Sequence, residues 1–150
     1  MKRLELSLLN NAVTFAEDAL SNAVVAEEHT VRWKFAILSI VQAIELSLKE
    51  LLRIQHPFLI YANVDKPGKT VSIEQAQNRL HKIANIQLSN KDISALKTAS
   101  GYRNKIVHHE IDAEIAELKL VFGRLFAFLN DFHRKYFDES LLHKNRVGPP

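Results

Sequence analysis

The stretch from Thr30 to Gln55, TVRWKFAILSIVQAIELSLKELLRIQ, decides the fold. Trp33, Ile37, Ile40, Ile44, Leu48 and Leu51 recur at steps of three or four and form one apolar stripe. Leu38, Val41, Leu48 and Leu52 form a second stripe beside it. Spacing of this kind places side chains on one side of an α-helix. A helix with two apolar faces is central and packs against several neighbours. Pro57 follows closely, as expected after a helix end.

Working outward, helical periodicity continues almost throughout. Leu4, Leu8, Ala12, Phe15, Ala19, Ala23 and Ala26 predict a first helix. Residues 56–72, HPFLIYANVDKPGKTVS, hold two prolines and a glycine and read as a loop. Ser72 with Gln75 spells a capping box, opening a third helix with Ile73, Ala76, Leu80 and Ile83 inward. Ser89 and Asp92 can cap a fourth, which carries Ile93, Leu96, Ala99 and Ile106. Asp112 can cap the last, where Ile115, Leu118, Phe122, Leu125, Leu129, Phe132 and Tyr136 share a face. The expected architecture is an all-α bundle of about five helices. One domain over residues 1–137 is expected, with a frayed tail over 138–150 that ends in Gly-Pro-Pro.

Composition narrows the chemistry. The chain has 150 residues, 47% hydrophobic and 25% charged, which are ordinary globular values. There is no cysteine, so disulfides, thiol nucleophiles and thiolate metal sites are excluded. Gln42, Glu45, Lys119 and Arg124 interrupt the most apolar stretches, so no membrane-spanning helix is expected. The N-terminal MKRLELSLLN lacks a continuous apolar core and a small-residue cleavage site. No signal peptide is expected, and a cytoplasmic location is. The net charge of +3 is unevenly spread: residues 66–109 hold eight Lys/Arg against Glu74 and Asp92. A middle third this basic suits a polyanion such as RNA.

Three constellations bear on function. Lys66-Pro67-Gly68-Lys69-Thr70 ends like a P-loop, but Asn63 stands where the first glycine is required and no βαβ pattern surrounds it. His108-His109-Glu110 with Asp112 offers ligand-type side chains without a recognised metal-binding spacing. Neither a metal nor a cofactor is expected. The third is Gly101-Tyr102-Arg103-Asn104-Lys105-Ile106-Val107-His108. Asn104 and His108 are four apart and share a helix face, so the amide can orient the imidazole. Arg103 lies about 140° from His108 around the axis, so one helix does not readily converge the two heads. Arg103 falls near the apolar stripe, and a buried guanidinium requires an acidic or phosphate partner. Glu45 on the central helix is a candidate. A structural reading therefore stands open: a buried Arg103–Glu45 tie, with His108 as a helix C-terminal cap.

The string Arg103 to His108 resembles the Arg-x(4–6)-His signature of the HEPN superfamily, with Asn104 as the polar residue that follows the Arg. Ala43–Leu52 is similar to that family's second helix, and Lys69–Ile73 with the helix to Leu80 to its third. Together the resemblance covers roughly residues 30–130. It implies a compact α-helical homodimer, often a metal-independent endoribonuclease of toxin–antitoxin or phage-defence systems, with an antitoxin protein as a further partner. One toxin branch carries Tyr two residues after the His; Glu110 stands there in this chain, which speaks against that branch. Other family members have lost catalysis and bind RNA or proteins only, so a non-catalytic module is the alternative.

On this reading Arg103 and His108 are catalytic, and Asn104, Glu45, His109 and Tyr102 support them. Lys91, Lys97 and Lys105 hold the RNA strand. An imidazole suits proton transfer from a ribose 2′-OH. A guanidinium forks onto phosphate oxygens as negative charge builds on them. Two motifs across a dimer axis would surround one phosphate with two histidines and two arginines. His109 and Tyr102 would stack on a base or simply pack.

Overall fold

A computed structural model describes residues 2–138 and Leu141. Five α-helices follow one another: α1 (Leu8–Ala26), α2 (Arg32–Gln55), α3 (Ile73–Lys82), α4 (Asn90–His108) and α5 (Ile115–Tyr136). The described residues contain no strand, only an isolated antiparallel bridge between Tyr61 and Thr70. The protein is an all-α bundle. None of the described helices is long and apolar enough to cross a membrane.

α2 is the axis. It touches each of the other four helices, and Ile37, Ile40, Val41, Ile44, Leu48 and Leu52 are all but sealed. Both expected stripes are thus covered, with Leu38 of the second only partly so. The helix ends because Pro57 disfavours the helical region for the residue before it. His56 is accordingly extended, at φ −165° and ψ 133°. Two buried hydroxyls on α2 find partners, whereas the buried Trp33 Nε1 has none among the described residues: Ser39 Oγ donates to Asp18 Oδ2 at 2.7 Å, and Ser47 Oγ meets His133 Nε2 at 2.7 Å, which ties α2 to α5.

The other helices largely follow their patterns, with corrections at their ends. α1 packs on α2 through small residues, Ala12, Val13, Ala16, Ala19 and Ala26. It begins at Leu8 behind a Ser7 cap, so Leu4 precedes the helix and stands 84% exposed. Both expected capping boxes form, Ser72 with Gln75 on α3 and Ser89 with Asp92 on α4. Ile83 lies past the end of α3 and Ile93 in the first turn of α4, and both are exposed rather than inward. Asp112 caps nothing: the residue at the N-cap of α5 is Glu114, without a side-chain bond. The expected fraying of the tail falls mostly outside the described residues; Leu141 is buried and its backbone N–H donates to Asn130 Oδ1 at 2.8 Å.

The 56–72 segment is a loop with internal order. A 3-10 turn covers Pro57–Ile60, and the chain then doubles back, with the Ala62 N–H donating to the Lys69 carbonyl at 2.9 Å. Arg79 of α3 clamps the near side, donating to the carbonyls of Leu59, Tyr61 and Ala62. No helix starts at Gly68-Lys69-Thr70, because α3 opens only behind Ser72. The Gly-Lys-Thr string therefore lacks the helix N-terminus on which a P-loop holds phosphate.

Candidate functional site

α4 carries the Arg103–His108 string in its last turns. Ala95, Leu96, Ala99 and Ile106 bury its inner face, and this fixes which residues look outward. Arg103 is half-buried, while Asn104, Lys105, His108 and His109 are exposed. His108 is the last residue of the helix. His109 is extended and closes it, its backbone N–H donating to the Lys105 carbonyl at 2.9 Å. Lys105 and His108 in the final turn complement the negative end of the helix dipole.

Arg103 opens into a cleft of about 620 Å³ between α4, α2 and the strand-like end of the 56–72 loop. Glu45, Lys69, Thr70, Gln75, Ser100 and Asn104 share its walls. The expected Arg103–Glu45 tie does not form. Glu45 is instead taken by Lys49, one helical turn along α2, whose Nζ donates to Glu45 Oε2 at 2.9 Å and to Thr70 Oγ1 at 2.8 Å. Lys49 is buried and offers no other compensation for its charge, so the nearby carboxylate and hydroxyl go to it. Arg103 is left without an ion pair or hydrogen bond among the described residues. Its charge faces the cleft beside Lys69.

A second, more apolar cavity of about 330 Å³ lies on the other side of the α4 terminus. Ile37, Ile106, Ile111 and Leu118 wall it, with Tyr102 and His109 at the α4 side. Tyr102 is engaged structurally: its hydroxyl donates to Glu117 of α5, and Lys105 Nζ sits 5.2 Å from its ring centroid. Partial burial, then the Glu117 bond and charge, push the Tyr102 hydroxyl up to about 12.

The structure therefore separates the residues expected to act together. Arg103, Asn104 and Glu45 line one cleft, Tyr102 and His109 the other cavity, and His108 lines neither. Asn104 and His108 share a helix face but make no hydrogen bond to each other. His108 is exposed at the helix end and supports no core. Lys91 and Lys97 are exposed on α4 outside both cavities. Among the described residues no three His, Asp or Glu side chains come together in a metal-holding group. Sequence reasoning missed Lys49, and it placed Lys69 within the basic run 66–109 but not among the site residues. The Glu45–Lys49 spacing of four was a legible sign of Lys49. No family model matches the chain, and no curated protein or solved structure matches it.

Proposed function

We propose that this protein is a metal-independent endoribonuclease of HEPN type, acting as a homodimer in a toxin or phage-defence role. The observation that carries the reading is the unengaged Arg103 guanidinium in a polar cleft of about 620 Å³. A half-buried guanidinium without a carboxylate fits an anionic group that arrives from outside. The exposed His108 at the end of the same helix adds a proton-transfer group that the core does not use.

In this mechanism His108 takes the proton of a ribose 2′-OH, which attacks the adjacent phosphorus. The Arg103 fork meets the charge that builds on the non-bridging oxygens. The bond to the 5′-oxygen breaks, and that oxygen leaves with a proton from the second histidine of the dimer. The products are a 2′,3′-cyclic phosphate and a 5′-hydroxyl. Two copies joined near the end of α4 supply both histidines and both arginines, which answers the separation of Arg103 from His108 within one chain. An isologous contact of this kind places each patch against its own copy. An antitoxin protein would be the partner that silences the site.

That same separation favours one alternative, a non-catalytic RNA-binding or protein-interaction module in which Arg103 only holds phosphate. Wild-type protein and His108→Ala are compared for cleavage of a labelled RNA and for mass by light scattering. Cleavage by a wild-type dimer, lost in His108→Ala, supports the nuclease. RNA binding without cleavage by either protein leaves the module.

A further inference from the structure

We infer that the 330 Å³ cavity beside the end of α4 is a guanine-binding subsite, a reading that rests on the proposed ribonuclease function. Its walls are apolar and suit the faces of a heteroaromatic ring: Ile37 from α2, Ile106 from α4, Ile111 from the link and Leu118 from α5. Its polar lining side chains are Thr30, Lys34, Tyr102 and His109, with no carboxylate among them. The Tyr102 hydroxyl is already committed to Glu117. What remains for a ligand is the His109 ring, the Thr30 hydroxyl and the Lys34 ammonium, which rests over the Phe35 ring at 5.4 Å and has no ion-pair partner among the described residues.

An ammonium is a donor only. It selects ring edges rich in acceptors and rejects those that present an amino group. Guanine carries two adjacent acceptors, O6 and N7, and lysine is among the side chains that pair with that edge. Adenine puts an amino group beside N7, cytosine presents an amino group, and uracil has no second acceptor adjacent to O4. The cavity reaches the end of α4, since His109, the residue after His108, is among its lining side chains.

A second observation comes from the same turn of α2. Phe35 is 39% exposed, and its ring is flanked by Arg32 at 5.5 Å and Lys34 at 5.4 Å. Neither cation has an ion-pair partner among the described residues. A partly exposed aromatic ring with two cations resting over it, neither held in an ion pair, offers a strand both apolar contact for a base and positive charge for its phosphates. This surface lies outside the basic stretch 66–109, and it assigns the first turn of α2 to the strand that the Arg103 cleft holds by its backbone.

The test uses full-length His108→Ala protein, which cannot cleave, and fluorescein-labelled hexaribonucleotides read by anisotropy. UUGUUU is expected to bind roughly 10-fold more tightly than UUAUUU, with the inosine form close to the guanosine form and the 7-deazaguanosine form weaker. Adding Lys34→Met should erase the preference. Adding Phe35→Ala should weaken all sequences alike and leave the preference in place. Equal binding of the G and A hexamers, or a preference that survives Lys34→Met, overturns the subsite. Cleavage by the wild type is scored separately. Cleavage without preference for G keeps the nuclease and sinks the subsite. A Lys34-dependent preference for G without cleavage keeps the subsite and sinks the nuclease.

Discussion

Lys49 Nζ lies 2.9 Å from Glu45 Oε2, one helical turn away on α2, and this contact decides what Arg103 is free to do. Both members of the pair are largely withdrawn from water, at 7% and 14% side-chain exposure. With Glu45 already matched, Arg103 stays outside any closed ion pair, in a cleft that Lys69 and Glu74 also line. The charge at the site is thus set by a residue beneath it, and Arg103 itself is not part of what holds α4 to α2.

The first prediction follows for Arg103. Since Glu45 keeps Lys49, Arg103→Ala strands no buried charge and should cost under about 1 kcal/mol of stability. RNA cleavage should fall by roughly 10²–10³, the usual loss when one donor to a developing oxyanion is removed. Lys49→Met should behave in the opposite way, losing about 3 kcal/mol, because it leaves Glu45 uncompensated. Urea denaturation of both variants beside a cleavage assay checks the contrast. Equal destabilisation by the two substitutions would mean that Arg103 holds the helices together after all.

A second prediction concerns the loop that walls the cleft. Arg79 donates to three backbone carbonyls, with Leu59 at 2.7 Å and Ala62 at 2.9 Å among them. The guanidinium fork matches several acceptors at once, which an ammonium cannot do. Arg79→Lys should therefore fail to restore what Arg79→Ala removes. In both variants the loop should be cut by trypsin at Lys69 markedly faster than in the wild type, while the helices keep their circular dichroism. Unchanged proteolysis would show that the loop is held by its own bridge between Tyr61 and Thr70.

How much of this was legible depends on the distance over which each feature is written. The capping boxes at Ser72 and Ser89 are local, spanning three residues, and both formed as read. The two stripes of α2 are local as well, and a doubly apolar helix has nowhere to go but the centre. Periodicity names a face but not where neighbours stop covering it. Ile83 and Ile93 continue the rhythm of α3 and α4 yet project past the packed core, and Leu4 lies ahead of α1 altogether. The Arg79 clamp joins residues 17 to 20 apart, and the Ser47–His133 link spans 86. Neither leaves a trace in local spacing. Glu45 was open to misreading because two cations competed for it, and the nearer one on its own helix took it.

Alkaline pH supplies a third prediction, through Tyr102. Burial, followed by the bond and charge of Glu117, raises its hydroxyl from 10.0 to about 12 in the folded chain. Between those values the unfolded chain has lost this proton and the folded chain still holds it. The folded state then binds more protons, so stability must fall as pH rises. The contribution is intact below pH 10 and disappears as pH passes about 12. Chemical denaturation at a series of pH values should show this decline in the wild type and a shallower one in Tyr102→Phe. Ultraviolet titration should find one of the three tyrosines ionising late. A late tyrosine that persists in Tyr102→Phe would assign the shift elsewhere.

The last prediction separates the proposed chemistry from any metal-assisted route. His108 makes the nucleophile by taking the 2′-OH proton, and Arg103 absorbs the charge on phosphorus, so both tasks that a metal performs in other nucleases fall to side chains. Cleavage should then proceed in excess EDTA and leave 2′,3′-cyclic phosphate ends, because the attacking oxygen belongs to the neighbouring ribose. A single 2′-deoxy nucleotide on the 5′ side of the scissile bond should block that cut and spare the others. DNA of the same sequence should bind with a similar salt dependence, since the phosphates carry that part of the affinity, yet remain whole. End-group analysis by mass spectrometry distinguishes the outcomes. A 3′-hydroxyl end, or activity that vanishes with EDTA and returns with a divalent cation, would place the nucleophile on a metal-bound water and remove His108 from the role assigned to it.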